Sequence, residues 1–200
     1  MIQTPVDQLK FLQKWILHNI LEKIQSHKSS KGFDKNSSIR KNAEPHIHSD
    51  SILKMDLMRF YDSINEKRIF GIFKSIGYHP NLCVTLARIC TVVPDANFKS
   101  SFKKSEDKLK NKIANSKQGI LPQGAPTSPK LSNLVSRRLD LRLNALADRN
   151  KVVYTRYADD LTFSGDHKTL VSLIKVVVRI VTDENFFVNH GKTKIVKEGG

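Results

Sequence analysis

Three aspartates stand out because of what surrounds them. Asp56 sits near the end of an apolar run, Ile52-Leu53-Lys54-Met55-Asp56-Leu57. Asp159 and Asp160 lie side by side between two short alternating stretches, 152–157 and 161–164. The run reads as a buried strand, and the alternating stretches read as a β-hairpin with two carboxylates at its tip. Acids are poor strand formers, and carboxylates set beside apolar strands cost stability unless something offsets them. A divalent cation does so. Magnesium takes carboxylate oxygens and keeps positions open for substrate phosphates. Two such ions, about 3.5–4 Å apart, stabilise both the attacking and the leaving oxygen of an in-line phosphoryl displacement. An Asp-Asp pair can also simply make a turn, because Asp tolerates turn geometry. Taken alone, the pair fits either reading.

The elements that must position these carboxylates follow from periodicity. Thr4 and Pro5 suit the start of a helix, and Val6, Leu9, Leu12, Ile16, Ile20 and Ile24 then recur at helical spacing. A polar stretch runs from Ser26 to Ser38, and a short helix is expected from Ser38 toward Pro45. Apolar spacing returns from Ile64 to Ile76, stops at Gly77 and resumes after Pro80 through Leu82, Leu86 and Ile89. Residues 94–118 break the pattern with seven lysines (99, 103, 104, 108, 110, 112, 117) against Glu106 and Asp107. This stretch is expected to be a lysine-rich mobile loop or insertion, either solvated or touching a nucleic-acid backbone. Leu121–Pro129 packs three prolines and a glycine into nine residues. One long helix is predicted from about Lys130 to Ala147, an amphipathic helix from Leu170 to Val181, and two short strands around Gly191. The order is mixed, an α+β chain with an antiparallel sheet packed on helices.

Composition narrows the chemistry. The chain has 200 residues, 39% of them hydrophobic and 26% charged. Lys and Arg number 34 against 19 Asp and Glu, a formal charge of +15, and the pI is near 9.9. That excess points to a polyanionic partner, nucleic acid before an acidic membrane. Two cysteines, Cys83 and Cys90, exclude a disulfide scaffold and a four-cysteine zinc site. No apolar run approaches the roughly 18 residues of a membrane span. The first residues, interrupted by Asp7 and Lys10, do not resemble a signal peptide. A reducing, cytoplasmic setting is expected.

The residues around the carboxylates resemble those of the reverse transcriptases. Tyr157-Ala158-Asp159-Asp160 is similar to that family's tyrosine-x-aspartate-aspartate hairpin. Asp56 with Tyr61 five residues later resembles the preceding palm strand and its aromatic. Leu121-Pro122-Gln123-Gly124-Ala125-Pro126-Thr127-Ser128-Pro129 lies between them, and Lys192-Thr193 follows Asn189 as in the family's later lysine motif. The four motifs are collinear and cover nearly the whole chain. The bacterial retron branch is the nearest in flavour, through YTRYADDLTFSG (154–165), SPKLSNLVSRRLD (128–140) and Asn42-Ala43-Glu44-Pro45-His46, which is similar to the retron asparagine-alanine-x-x-histidine element.

The resemblance implies a right-hand polymerase palm with part of the fingers. In such a palm Asp56 and Asp159 would hold two Mg2+ ions, with Asp160 completing the acidic cluster and the Leu57 carbonyl facing a metal. Tyr61 would lie under the incoming sugar, where its ring clashes with a 2′-hydroxyl and favours deoxynucleotides. Phe60 beside it reads as core. Gln123 would contact the incoming nucleotide or the template from a turn that Gly124 lets approach closely. Lys192 would neutralise the triphosphate or protonate the leaving pyrophosphate. Asn42, His46, Lys103 and Lys104 are candidates for RNA contact. A histidine beside a proline at a helix end is, equally, a structural hydrogen-bonder.

The implied activity is an RNA-directed DNA polymerase, a nucleotidyltransferase of retron type. It would copy a structured non-coding RNA, serving as template and primer, into single-stranded DNA from deoxynucleoside triphosphates. Phage defence and an effector protein are further associations of that branch. The alternatives are a group II intron or other defence reverse transcriptase, and a catalytically silent RNA-binding fragment. Two departures stand out. Phe60-Tyr61-Asp62 replaces the retron pattern of two phenylalanines and a proline, with Asp62 an extra carboxylate that could cap the next helix. The basic fingers residues that grip a triphosphate, and the thumb, have no counterpart in the chain. A single fingers-palm domain, incomplete at both ends, is therefore expected over 1–200.

Overall fold

In a computed structural model, the structure describes residues 3–102, 110–111, 113 and 118–197. The chain divides into two compact units, each assembled from two separate segments: Met1–Gln25 with Tyr61–Val135, and Ser26–Phe60 with Ser136–Gly200.

In the first unit, helix α1 (Asp7–Asn19) begins later than Thr4 suggested. Val6, extended at φ −62° and ψ 156°, precedes it with no side-chain cap. Its apolar stripe is only partly used. Ile16 and Ile20 are buried, whereas Val6 and Leu12 stay exposed. Gln13 is also buried, and its Nε2 donates to the Ile89 carbonyl at 2.8 Å. Helices α3 (Glu66–Ser75) and α4 (Pro80–Ile89) pack on each other through Ile69, Phe73, Cys83, Leu86 and Ala87. The cap of α3 is Asn65, whose Oδ1 accepts from the Arg68 amide at 3.1 Å. Asp62 is therefore not the cap; it is buried. Gly77 ends this segment in left-handed backbone at φ 96°. Helix α4 starts on its proline, where the missing N–H is no loss. Cys83 and Cys90 are both buried and free.

A short helix α5 (Ala96–Ser100), capped by Asp95, lies inside the lysine-rich stretch. Lys103, Lys104 and most of the residues up to 117 lie outside the described residues. Val92 and Ile120 exchange two backbone hydrogen bonds of 2.8 and 2.9 Å, which fixes the start of the proline-rich segment. Helix α6 (Ser128–Val135) follows it.

The predicted long helix is in fact two. Ser136, at φ −80° and ψ −1°, unwinds the chain between α6 and α7 (Arg137–Arg149), where a weak helix former meets the boundary of the units.

In the second unit, α2 (Ile39–Ala43) is capped by Ser38, whose side chain accepts from the Lys41 amide at 3.1 Å. A 3-10 turn, Glu44–His46, follows. The sheet is antiparallel, with order β2-β3-β1-β4: β1 is Ser51–Leu57, β2 Val153–Tyr157, β3 Asp160–Gly165 and β4 Val188–Lys197. Register sorts the side chains onto two faces. Leu53 and Met55 of β1 stand opposite Phe163 and Leu161 of β3 and are buried. Tyr154 stacks on Phe163 with ring centroids 4.8 Å apart. Helices α7 and α8 (His167–Asp183) pack against the sheet and each other. The alternate residues of β1, namely Ile52, Lys54 and Asp56, lie on the opposite face with Ser164, Thr162 and Asp160.

The end of the described chain is one irregular strand, not two. Lys54 pairs with Lys194, but Asp56 pairs with Asn189, so β4 advances five residues while β1 advances two. The extra residues, including Gly191 and Lys192, bow out as a bulge.

Candidate active site

Three of the predicted acids and one predicted lysine come together in the second unit. Asp56 and Asp160 stand directly opposite each other, at the last pair of the β1–β3 ladder. The β2–β3 hairpin closes with Tyr157 opposite Asp160, leaving Ala158 and Asp159 as its two-residue turn. Ala158 adopts left-handed backbone at φ 56°, a conformation that costs a residue with a Cβ about 1–2 kcal/mol. Two bonds hold it there. The Ala158 carbonyl accepts from Arg156 Nη1 at 2.9 Å, and the Asp159 carbonyl accepts from the Leu57 amide at 2.9 Å. The second bond ties the hairpin tip to the end of β1. Gly32 leaves room beside the turn: a Cβ there would lie 3.4 Å from the Ala158 nitrogen and 3.5 Å from the Tyr157 ring.

The bulge in β4 carries Lys192 to the acids. Its Nζ donates to Asp56 Oδ1 at 2.6 Å, although two-thirds of the side chain remains exposed. The hydrogen bond and charge of Asp56 raise the Lys192 pKa. Burial pushes the Asp159 carboxyl above its ordinary range. The negative charges of Asp160 and Asp56 add to that, while Lys192 opposes it. Asp160 is raised by burial and then by Asp56. Lys54 and Lys194 face each other across β1 and β4, an unfavourable pairing of like charges. Lys54, Asp56, Asp160, Lys192 and Lys194 line one cavity of about 470 Å³. Among the described residues, no three or more His, Cys, Asp or Glu side chains stand in a ready metal-ligating cluster. The donor set nevertheless fits a divalent cation in kind: the Asp56 charge raises the pKa of both Asp159 and Asp160, and Lys192 opposes that only in part.

The remaining predicted residues lie elsewhere. Tyr61 is half-buried in the first unit, with Gln123 and Gly124 exposed in the same unit. The Gln123 carbonyl accepts from the Gln3 amide at 2.8 Å, and Gly124 sits at φ 108°, where a glycine is needed. Phe60 is core as expected, 5.4 Å from the Phe186 ring and 5.8 Å beneath the Arg156 guanidinium. Both ring nitrogens of His46 are engaged at 2.7 Å, Nδ1 with Ser164 Oγ and Nε2 with Thr155 Oγ1. Burial and Lys54 lower its pKa to about 4, so the ring is neutral and pins the 3-10 turn to β2 and β3.

The sequence reading missed the group that sets the hairpin. Arg156 and Asp140 are both fully buried and form a two-pronged ion pair, Nε to Oδ1 at 2.8 Å and Nη2 to Oδ2 at 2.7 Å. Tyr154 donates its hydroxyl to the same Oδ1 at 2.9 Å. A signal existed: Asp140 falls on the buried stripe of α7 with Leu139, Leu143 and Ala147.

With this geometry in hand, comparison with known proteins is consistent. The family described as reverse transcriptase (RNA-dependent DNA polymerase) matches residues 1–199. The retron Ec86 reverse transcriptase of Escherichia coli is 37% identical over 195 residues, 97% of this chain and 53% of its own length. The retron Mx65 reverse transcriptase of Myxococcus xanthus is 36% identical over 203 residues, all of this chain and 45% of its own length. The chain thus spans about half the length of these curated relatives. Among solved structures, telomerase from Candida albicans in complex with a fragment of telomeric RNA is similar in fold. Its TM-score is 0.53 at 13% identity, covering 96% of this chain and 34% of that one. The mixed fold with its antiparallel four-stranded sheet agrees with the palm that the motifs implied, and the chain belongs to the reverse transcriptase (RNA-dependent DNA polymerase) family.

Proposed function

We propose that the chain carries the polymerising centre of a retron-type RNA-directed DNA polymerase. The observation that carries this is the pairing of Asp56 with Asp160 at the end of β1 and β3, with the Asp159 turn tied to Leu57 and Lys192 reaching Asp56. Asp56, Asp159 and the Leu57 carbonyl would hold two Mg2+ ions, which supply charge stabilisation to the attacking and leaving oxygens of phosphoryl transfer.

The protein's own groups do the rest. Asp160 adds negative charge beside that pair. Lys192 lies where it can meet the phosphates of a deoxynucleoside triphosphate and give a proton to the departing pyrophosphate. The facing pair Lys54 and Lys194 gains a counter-charge when a phosphate lies between them. Tyr61, Gln123 and Gly124 serve sugar choice and nucleotide or template contact in this reading. The substrate is a structured RNA acting as template and primer, the product is single-stranded DNA, and phage defence with an effector protein is the biological setting.

The test is Asp159→Asn in the full-length protein. The amide keeps the shape and loses the charge. Magnesium-dependent nucleotide incorporation should vanish while RNA binding stays nearly intact. Retained incorporation removes Asp159 from the centre.

A further inference from the structure

The segment ahead of α2 runs along the outer edge of β2 and ends at the carboxylate hairpin. Ser30 bridges to Arg156 there: the Arg156 amide donates to the Ser29 carbonyl and the Lys31 amide to the Arg156 carbonyl, both at 2.8 Å. The next two residues reach the tip. Gly32 passes so close that a Cβ on it would lie 3.4 Å from the Ala158 nitrogen. The Phe33 ring lies 6.0 Å from the Tyr157 ring, tilted at 44°. Phe33 combines two costs. It is 43% exposed, so burial rewards the ring little. Its backbone is left-handed at φ 67°, and the Asp34 amide closes a three-residue turn onto the Gly32 carbonyl at 2.9 Å. This is the strained hand of the γ-turn, a costly place for a bulky side chain. Beyond the turn, the Ser37 amide and hydroxyl both donate to the Asp34 carbonyl, at 3.0 and 2.7 Å, so the chain is held on either side of Phe33.

We propose that Phe33 is a positioning residue for nucleotide addition: its ring steadies Tyr157 and so fixes the turn that presents Asp159 and Asp160, a role that rests on the polymerase reading. Backbone strain persists where the surroundings over-determine it, and it concentrates at functional sites. Here the strain sets one ring against one other. Tyr157 is the last residue of β2 and stands opposite Asp160. Ala158 follows in left-handed backbone, and the Asp159 carbonyl then meets the Leu57 amide. A swing of the Tyr157 ring therefore moves a turn in which both carboxylates lie within three residues. Arg156 grips that turn from its buried side through the Ala158 carbonyl, and Phe33 closes it from the solvent side. The bonds that hold the segment on either side of Phe33 leave from other residues, so a side-chain change at 33 removes none of them.

The test compares the full-length protein with Phe33→Gly and Phe33→Asn, which accept left-handed backbone without the ring, and with Phe33→Tyr, which keeps the ring. Glycine and asparagine should leave thermal melting unchanged or raise it, because strain is relieved and little burial is lost. Single-turnover incorporation at saturating deoxynucleotide should nevertheless fall about tenfold or more. The half-saturating deoxynucleotide concentration should stay within about twofold of the parent, the split expected when binding is intact and geometry is not. Phe33→Tyr should restore the rate. Residue-resolved amide exchange in EDTA reads the turn without turnover. The Leu57 amide, whose partner is the Asp159 carbonyl, should exchange faster in the two ringless variants, while the mid-strand amides of Leu53 and Phe163 should not. A parental rate in either ringless variant, unchanged Leu57 exchange, or a tyrosine variant as slow as glycine would each overturn the proposal. Lowered melting in both ringless variants would make Phe33 a packing residue and overturn it too. Any of these leaves the Asp159 test standing. An active Asp159→Asn enzyme would instead sink the polymerase centre, with the exchange result unaffected.

Discussion

Removing the Asp140 carboxylate should both destabilise the protein and loosen the hairpin that presents Asp159. Arg156 has no exposed surface, and it makes two bonds to Asp140 and one to the Ala158 carbonyl. Asp140→Ala leaves that guanidinium buried without its two-pronged carboxylate partner and takes the acceptor from the Tyr154 hydroxyl. Breaking a buried pair in this way costs about 3–5 kcal/mol, a large share of the ~5–15 kcal/mol that holds a typical domain. Melting should fall by roughly 6–20 °C at this chain length. The double variant Asp140→Leu/Arg156→Met separates the two effects. An apolar replacement of a buried pair is often neutral, so urea denaturation should return to within about 2 kcal/mol of the parent. The Ala158 carbonyl still lacks its donor, and the turn at φ 56° loses a restraint. Nucleotide incorporation by the full-length double variant should therefore stay depressed, by about 100-fold if the acids shift by an ångström. A double variant that is stable and fully active would refute the positioning role. One as unstable as Asp140→Ala would show that the pair contributes net stability.

Other outcomes follow from the same structure. The His46 pKa of about 4 lies below its ordinary 6.5, so the unfolded chain binds the extra proton first as pH falls. Stability should be full above pH 6.5 and decline toward pH 4, by at most about 3 kcal/mol. His46→Gln should flatten that part of the profile in chemical denaturation. Tyr61→Val should raise ribonucleotide use relative to deoxyribonucleotide in single-turnover incorporation; unchanged discrimination would make Tyr61 a packing residue. Replacing the lysines of 99–117 by glutamine should flatten the salt dependence of RNA binding, by about one unit of slope for each phosphate no longer neutralised. An unchanged slope would leave that stretch as solvated surface.

The strands and the hairpin were legible because a two-residue period survives in short runs such as 152–157. The α2 cap was legible because Ser38 precedes it directly. The acidic site was legible as residue types but not as a bonded object. The bulge that delivers Lys192 depends on how residues near 190 pair with residues near 55, and no local pattern encodes that register. The Asp140–Arg156 pair hid for a similar reason: each residue looks like a surface charge until the helix stripe is laid against the strand. The break at Ser136 and the Asn65 cap were misread because apolar spacing carries straight through both, and only backbone geometry shows where each helix starts or stops.

The division of the chain sets an order of assembly. The residues of the first unit all lie at or before Val135, so they have been synthesised while much of the second unit is still to come. Asp56 belongs to the second unit, and its strand must wait for β3 and β4, more than a hundred residues later. At about 5–20 residues per second, β1 remains for several seconds an unpaired strand with both edges open. During that interval a nascent chain has the early carboxylate but neither the hairpin nor Lys192. Any interruption before about residue 160 should therefore leave the second unit without an acidic centre. The sheet edge, rather than the active site, is then what quality control would encounter.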